Sequence, residues 1–311
     1  MRVVFMGTPE FGAVSLRKLI SSGYDVAAVF TQPDRQAGRG NKTVASPVKQ
    51  AAIEHGIPVY QPEKISRECA EILRSISPDV CVTAAFGQFL SEELLAVPKY
   101  GTVNVHASLL PKHRGSAPIN WSVIKGEKET GVTTMFTVRK MDAGDILLSE
   151  KTAIGNDETA GELTERLAQI GAGLLIKTLK LIELGECPRT PQDESQMTYE
   201  PMLEKQNGLI NWNDSAESIH CLIRGVSPWP GAYTSIGNET VKIWSASVAE
   251  QSGKPGELLY ADARNGLVIS CGKGSLEIGE IQVPGGKRMK AKDYLRGHSF
   301  SAQYAGGDVN D

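Results

Sequence analysis

At 311 residues, 41% hydrophobic and 22% charged, the chain has the composition of an ordinary globular protein and the length for two domains. A formal net charge of −3 excludes a uniformly basic surface, so any contact with nucleic acid must come from local patches. Five scattered cysteines without a Cys-x-x-Cys pair argue against structural zinc or a disulfide framework. They suit a reducing compartment. No apolar run has membrane-spanning length and the N-terminus does not resemble a signal peptide, so the expected location is the cytoplasm.

Residues 3–6 form an apolar run that closes in Gly7-Thr8-Pro9-Glu10-Phe11-Gly12, and residues 13–21 continue with Val14, Leu16, Leu19 and Ile20 at helical spacing. Strand, glycine turn and helix in that order open a doubly wound α/β sheet. The turn carries neither the Gly-x-Gly-x-x-Gly of a dinucleotide site nor the Gly-Lys-Ser/Thr of a P-loop. A second strand is expected over residues 26–31. The connection that follows, residues 32–46, is too long and glycine-rich for an ordinary strand-to-helix link. It carries Arg35, Arg39 and Lys42, followed by Lys49, against Asp34 alone, with Gly38 and Gly40 flanking Arg39. On composition it is either a solvated loop or a flexible basic clamp for a phosphate backbone.

Helices are expected over residues 47–55 and 68–75, an extended piece over 58–61 and a buried strand over 79–86. Ala84, Ala85, Phe86 and Gly87 end that strand with small residues and bare backbone. Such a place suits tight packing, or a flat heterocycle hydrogen-bonded by main-chain groups. Val103, Asn104, Val105 and His106 then alternate with the period of a strand. Side chains two apart share a face, so Asn104 and His106 point the same way, about 6–7 Å apart at their Cα atoms. The spacing fits an edge strand facing water, and equally a strand end of the kind where α/β folds bind ligands. Next come a helix over 116–125, a strand over 131–138, the turn Met141-Asp142-Ala143-Gly144-Asp145, a strand over 146–149 and an amphipathic helix over 159–184. A polar stretch over 188–206 lacks an apolar period and reads as a linker. Short β-rich pieces at 233–236, 241–246, 267–270 and 276–282, separated by glycine turns, suggest a small barrel. The expected domains are therefore 1–189, a linker over 190–206, and 207–311.

Asn104 and His106 face one site, and Asp142 sits on a turn able to cross it. Beside Gly144, Asp142 also fits an ordinary turn aspartate. The trio lacks the nucleophile of a Ser-His-Asp machine, and no glycine elbow surrounds Ser108. Metal ligation by His106 and Asp142 lacks a further His or Cys at ligand spacing. The trio suits direct transfer of an acyl group to an amine. Asn104 donates to the developing oxyanion, His106 stabilises it or relays a proton, and Asp142 supports the histidine and takes the amine's proton, directly or through water.

Asn104-Val105-His106, Ser108-Leu109-Leu110-Pro111 and Asp142-Ala143-Gly144-Asp145 together resemble the folate-dependent formyltransferase family. Three further pieces are similar to the branch of that family acting on an initiator aminoacyl-tRNA. They are the opening from Val3 to Phe11, the connection with Thr31-Gln32-Pro33-Asp34-Arg35 and Ala37-Gly38-Arg39-Gly40, and Ser227-Pro228-Trp229-Pro230-Gly231. The resemblance runs from about residue 2 to about residue 295. It implies a Rossmann-like formyltransferase domain followed by a C-terminal OB-fold-like β-barrel. The donor implied is 10-formyltetrahydrofolate, consumed as a co-substrate, with no metal. The acceptor implied is initiator methionyl-tRNA, formylated on its free amino group for translation initiation.

By the same resemblance Asn104, His106 and Asp142 are the catalytic trio. Ser108, Leu109, Leu110 and Pro111 contact folate, and Ala84, Ala85, Phe86 and Gly87 supply backbone near the pterin. Arg39 is the key arginine of a loop entering the acceptor stem, flanked by Arg35 and Lys42. The basic cluster of Lys287, Arg288 and Lys290, otherwise a solvated loop, becomes a set of phosphate contacts. No membrane and no obligate protein partner is implied. Ser227 departs from the family, which often has asparagine there. Two rivals stand beside this reading. A small-amine acceptor with the same donor has no need of the long basic loop or the barrel, and an inactive RNA-binding protein has no need of the intact trio. The tail after Ser299 matches nothing in the family and is expected to be disordered.

Overall fold

A computed structural model of the chain describes residues 1–37 and 42–306. Gly38, Arg39 and Gly40 lie outside the described residues. The chain divides into two compact units. The first is Met1–Pro118, Glu129–Ala153 and Thr164–Glu200; the second is Ile119–Lys128, Ile154–Leu163 and the chain from Pro201 onward.

The first unit opens with β1 (Arg2–Gly7), α1 (Glu10–Ser21), β2 (Asp25–Phe30), β3 (Arg35–Ala37) and β4 (Lys42–Val44). It continues through α2 (Pro47–Glu54), β5 (Val59–Tyr60), α3 (Arg67–Ile76), β6 (Val80–Ala84), α4 (Glu92–Leu95), β7 (Thr102–His106) and β8 (Arg114–Gly115). After α5 (Pro118–Ile124), which from Ile119 belongs to the second unit, come β9 (Glu129–Phe136), β10 (Ile146–Ala153), α6 (Ala160–Leu184), part of the first unit from Thr164, and β11 (Tyr199–Glu200). Seven strands form one sheet in the order β10-β9-β7-β6-β1-β2-β5. From β7 to β5 all neighbours are parallel, while β9 is antiparallel to both β7 and β10.

The arrangement is doubly wound and Rossmann-like. Val3, Val4, Phe5 and Met6 of β1 have no exposed surface, as expected of a central parallel strand covered on both faces. Val4, Met6, Phe30, Leu73 and Phe86 pack in one apolar cluster, where each fully buried side chain of this size contributes about 1.5–3 kcal/mol. Because β7 pairs on both sides, the edge-strand alternative for Asn104 and His106 falls away.

Within the connection 32–46, β3 and β4 pair antiparallel as a small sheet. Its base is pinned by Asp34, whose carboxylate meets Lys49 Nζ at 2.6 Å and accepts from Gln61 Nε2 at 2.7 Å. Ser46 caps α2 by accepting from the Lys49 amide, with Pro47 in the first turn. The polar stretch after α6 has no apolar period, yet residues 190–200 are bonded along their length into the first unit. Thr190 bridges Ile146, and β11 pairs parallel with β8.

The second unit contains α7 (Ala216–Gly225), β12 (Ala232–Ile236), β13 (Glu239–Ala249), β14 (Leu258–Asp262), β15 (Gly266–Ser270), β16 (Ser275–Gln282), β17 (Met289–Lys290) and α8 (Ala291–Tyr294). Its antiparallel sheet runs β12-β13-β16-β15-β14, with β17 on β16. Trp212, Ile219, Ile243, Ile269, Leu276 and Ile281 are among the residues of its core. The tail corrects the expectation of disorder over its described part, residues 300–306. Ala305 is buried in that core and bridges Ile236 of β12, while Tyr304 bridges Glu257 beside β14. Backbone pairing, the small buried Ala305 and the half-buried Phe300 and Ala302 hold it, and none of these leaves a periodic trace in sequence. Among the described residues no helix is long and apolar enough to cross a membrane, and no group of three or more His, Cys, Asp or Glu is placed to hold a metal.

Candidate active site

In the middle of β7, Asn104 stands beside Thr83 of β6 in the parallel register, and His106 ends the strand. The Thr83 hydroxyl donates to Asn104 Oδ1 at 2.7 Å. With its oxygen so engaged, the amide presents its NH2 for work. His106, two residues on, is 6% exposed. Its Nε2 lies 2.9 Å from the carbonyl oxygen of His113. A carbonyl can only accept, so Nε2 carries the proton and in the neutral ring Nδ1 presents the lone pair. Nδ1 stands 3.7 Å from Asp142 Oδ1, longer than a hydrogen bond, and the two form an ion pair only when the ring is protonated.

Asp142 occupies the turn between β9 and β10 with φ of 47°, a left-handed conformation uncommon outside glycine. Its Oδ2 accepts from the Gly115 amide at 2.9 Å, and its main-chain oxygen accepts from Gln192 Nε2 at 2.8 Å. Gln192 Nε2 also donates to the Gly144 carbonyl at 2.8 Å, while Gln192 Oε1 accepts from Arg114 Nε and Nη2 at 3.1 and 2.7 Å. Arg114 Nη2 reaches Glu194 Oε1 at 2.9 Å, and Lys140 Nζ reaches the other oxygen. These two cations hold the Glu194 carboxyl down at about 2. His113, whose carbonyl serves His106, has φ of 55°. Its amide donates to Thr198 Oγ1 at 2.8 Å, and its ring Nδ1 lies 2.9 Å from Glu200 Oε1, both side chains being buried.

The structure thus places His106 and Asp142 face to face, with Asn104 two residues back on the same face of β7. The residues expected near folate follow β7 and end β6. Ser108 is fully buried and its hydroxyl donates to the Lys112 carbonyl at 2.7 Å, so it holds the turn; Leu110 is also buried, and Leu109 and Pro111 offer the surface. Thr133 on β9 supports this turn, donating to the Ser108 carbonyl at 2.7 Å and accepting from the Leu110 amide at 3.2 Å. Ala84 and Phe86 point into the interior, whereas Ala85 and Gly87 are exposed, with φ of 48° and 81°. The Phe86 carbonyl is already taken by the Thr8 hydroxyl at 3.0 Å.

Of the residues expected near RNA, Arg35 on β3 is exposed and Lys42 begins β4. Arg39 lies outside the described residues. Lys287, Arg288 and Lys290 are exposed on the second unit. Arg288 pairs with Glu280 and lies over the Trp244 ring at 5.2 Å. Sequence reasoning missed Thr83, Thr133, His113, Arg114, Gln192, Glu194 and Glu200. All but His113, whose carbonyl serves His106 seven positions back, act through partners far away in the chain.

A family model described as formyl transferase matches residues 1–179, and one for the formyl transferase C-terminal domain matches residues 202–299. The methionyl-tRNA formyltransferase of Alkaliphilus metalliredigens is 50% identical over 303 residues, covering 96% of each chain. That of Acetivibrio thermocellus is 49% identical over 302 residues, covering 96% of this chain and 97% of its own. Among solved structures, the N-formyltransferase from Helicobacter canadensis, in complex with folinic acid and dTDP-3-aminofucose, superposes with a TM-score of 0.66 at 19% identity, over 92% of this chain and 99% of its own. HypX from Aquifex aeolicus in complex with tetrahydrofolic acid gives 0.62 at 18% identity, over 95% of this chain and 47% of its own. At such identities these likenesses concern the fold. The chain belongs to the formyl transferase family, within its methionyl-tRNA formyltransferase group.

Proposed function

We propose that the chain transfers the formyl group of 10-formyltetrahydrofolate to the free amino group of methionyl initiator tRNA, giving formylmethionyl-tRNA. The observation that carries the chemistry is the set Thr83–Asn104, His106 and Asp142, in which an oriented amide donor lies on one strand face with a histidine whose Nδ1 faces a carboxylate. Near-50% identity to methionyl-tRNA formyltransferases along almost the whole chain supports the acceptor.

When bound, the folate supplies an activated formyl group. The main chain at Ala85 and Gly87, left accessible by small or absent side chains, suits the edge of a flat ring, and Leu109 and Pro111 give it an apolar wall. Asn104 Nδ2 donates to the formyl oxygen as that oxygen gains negative charge. His106, once Nδ1 opposite Asp142 has taken up a proton, stabilises the same charge or passes that proton on. Asp142 takes the proton that the attacking amine loses.

Catalysis is assigned to residues 1–189, tRNA contact to 207–311, and their connection to 190–206. Hydrogen bonds from residues 303–306 to the β12 and β14 ends of the sheet support an OB-fold-like barrel for the second part. Arg35, Arg39 and Lys42 form the acceptor-stem clamp, and Lys287, Arg288 and Lys290 add phosphate contacts. Choice of the initiator then rests on how readily its acceptor end opens, with few base contacts needed. The setting of such a reaction is the cytoplasm.

The test is transfer from 10-formyltetrahydrofolate to methionyl initiator tRNA, methionyl elongator tRNA, free methionine and a nucleotide amino sugar. Transfer confined to the initiator is expected. Transfer to the amino sugar alone would overturn the acceptor assignment.

A further inference from the structure

We propose that Gln192 is the positioning residue of Asp142, an inference that rests on the reading of Asp142 as the proton acceptor. Asp142 sits at φ of 47°, a conformation sparsely populated by non-glycine residues, so its surroundings must hold it there. Gln192 holds it with one nitrogen: the two N–H bonds of Nε2 reach the carbonyls of Asp142 and Gly144, each at 2.8 Å. The other end of the amide is locked. Oε1 accepts two bonds from the fork of Arg114, which is 2% exposed. The flipped amide would set NH2 against a guanidinium and oxygen against two carbonyls, so one orientation alone satisfies both ends.

The hydrogen bonds close a ring. Arg114 is joined through its own peptide to Gly115, whose amide donates to Asp142 Oδ2 at 2.9 Å, and Asp142 returns through Gln192 to Arg114. Both the main chain and the carboxylate of Asp142 are thereby tied to one two-residue strand, β8. That strand is itself confined, since a Cβ on Gly115, at φ of +115°, would meet the Glu200 carbonyl at 2.4 Å. The separation of Asp142 from His106 Nδ1 is therefore set from Gln192, a residue 50 positions away from Asp142 in sequence. Glutamine is the residue type the ring requires. Glutamate keeps the length and the Arg114 pairing but turns two donors into acceptors facing carbonyls, and methionine keeps the length and loses both ends.

The experiment compares the full chain with Gln192→Glu and Gln192→Met, each alone and combined with Asp142→Asn. In single-turnover formyl transfer, Gln192→Glu should lower the rate by about ten- to a hundredfold, the scale of an ångström misplacement of a catalytic group. The KM for tRNA and folate should stay within about threefold of the original, because Gln192 touches neither in this account. In the Asp142→Asn background the same change should cost less than about twofold, since its effect passes through that carboxylate. Gln192→Met should follow the same pattern. Amide hydrogen exchange gives a second readout that needs no activity: the Gly115 amide should exchange at least about tenfold faster in Gln192→Glu, with β7 unchanged. An equal rate loss in both backgrounds, or Gly115 exchange at its original rate, would overturn the proposal. Lack of transfer by the unsubstituted chain would refute the functional reading, and the Gly115 exchange would then judge the ring by itself.

Discussion

Asn104 works as a donor because Thr83 occupies its oxygen. Without that bond the amide is free to turn and can present the wrong end to the formyl oxygen. Thr83→Val keeps the shape and removes the hydroxyl, so transfer should slow by about tenfold, the value of one modest hydrogen bond, with folate affinity unchanged. Single-turnover rates and a folate titration check this; an unchanged rate would mean Asn104 is oriented by something else. Alternation along 103–106 made Asn104 and His106 legible in the sequence, because period-2 patterning is a local signal. Thr83 was not legible, since its meeting with Asn104 depends on the register between two parallel strands. Asp142 was visible only as a turn residue. Its left-handed backbone and the Gln192 bridge arise from contacts that no local spacing announces.

At the scale of elements, the stretch 190–200 shows what apolar periodicity does not detect. Its hold on the first unit comes from backbone pairing at Thr190 and β11 and from side chains bonding to backbone and to other side chains, with almost no buried apolar surface. Glu194 illustrates the electrostatic part. Arg114 and Lys140 hold its carboxyl at about 2, against an ordinary value of 4.5. Between those values the folded chain binds fewer protons than the unfolded one. The contribution is therefore complete above about 4.5 and is lost as pH falls through about 2. Glu194→Gln lacks it at all pH values. The difference in unfolding midpoint between the two proteins should be constant from about pH 5 to 8 and shrink towards zero on acidification. A difference that grows in acid would contradict the assignment. The connection 32–46 was legible by length and charge, whereas the pairing of β3 with β4 and the Asp34 anchor needed coordinates.

For the whole molecule, two parts with separate cores follow from the pattern itself: alternating strands and helices first, short strands and glycine turns later. Over its described part, residues 300–306, the tail is carried by a few backbone bonds that leave no pattern in sequence. Leu258 and Gln303, Gly256 and Ala305, and Ser235 and Gly306 each share one. At about 1 kcal/mol apiece, ending the chain after Phe300 should lower the melting temperature of the second unit by several degrees, about 2–4 °C per kcal/mol. Calorimetry with an unchanged transition would show the tail to be dispensable. Lys290→Ala should weaken tRNA binding about equally for different tRNAs and reduce the slope of log affinity against log salt by about 0.7–0.9; an unchanged slope would remove that lysine from the interface.

The amide of Asn104 and the carboxylate of Asp142 carry the proposed transfer. Single-turnover formylation of methionyl initiator tRNA at saturating 10-formyltetrahydrofolate, by the unsubstituted chain, Asn104→Ala and Asp142→Asn, tests it most directly. Rates should be lower by about a hundred- to a thousandfold in Asn104→Ala, the usual cost of one oxyanion donor, with a large loss in Asp142→Asn while tRNA and folate still bind. Transfer at the original rate by either variant would contradict it.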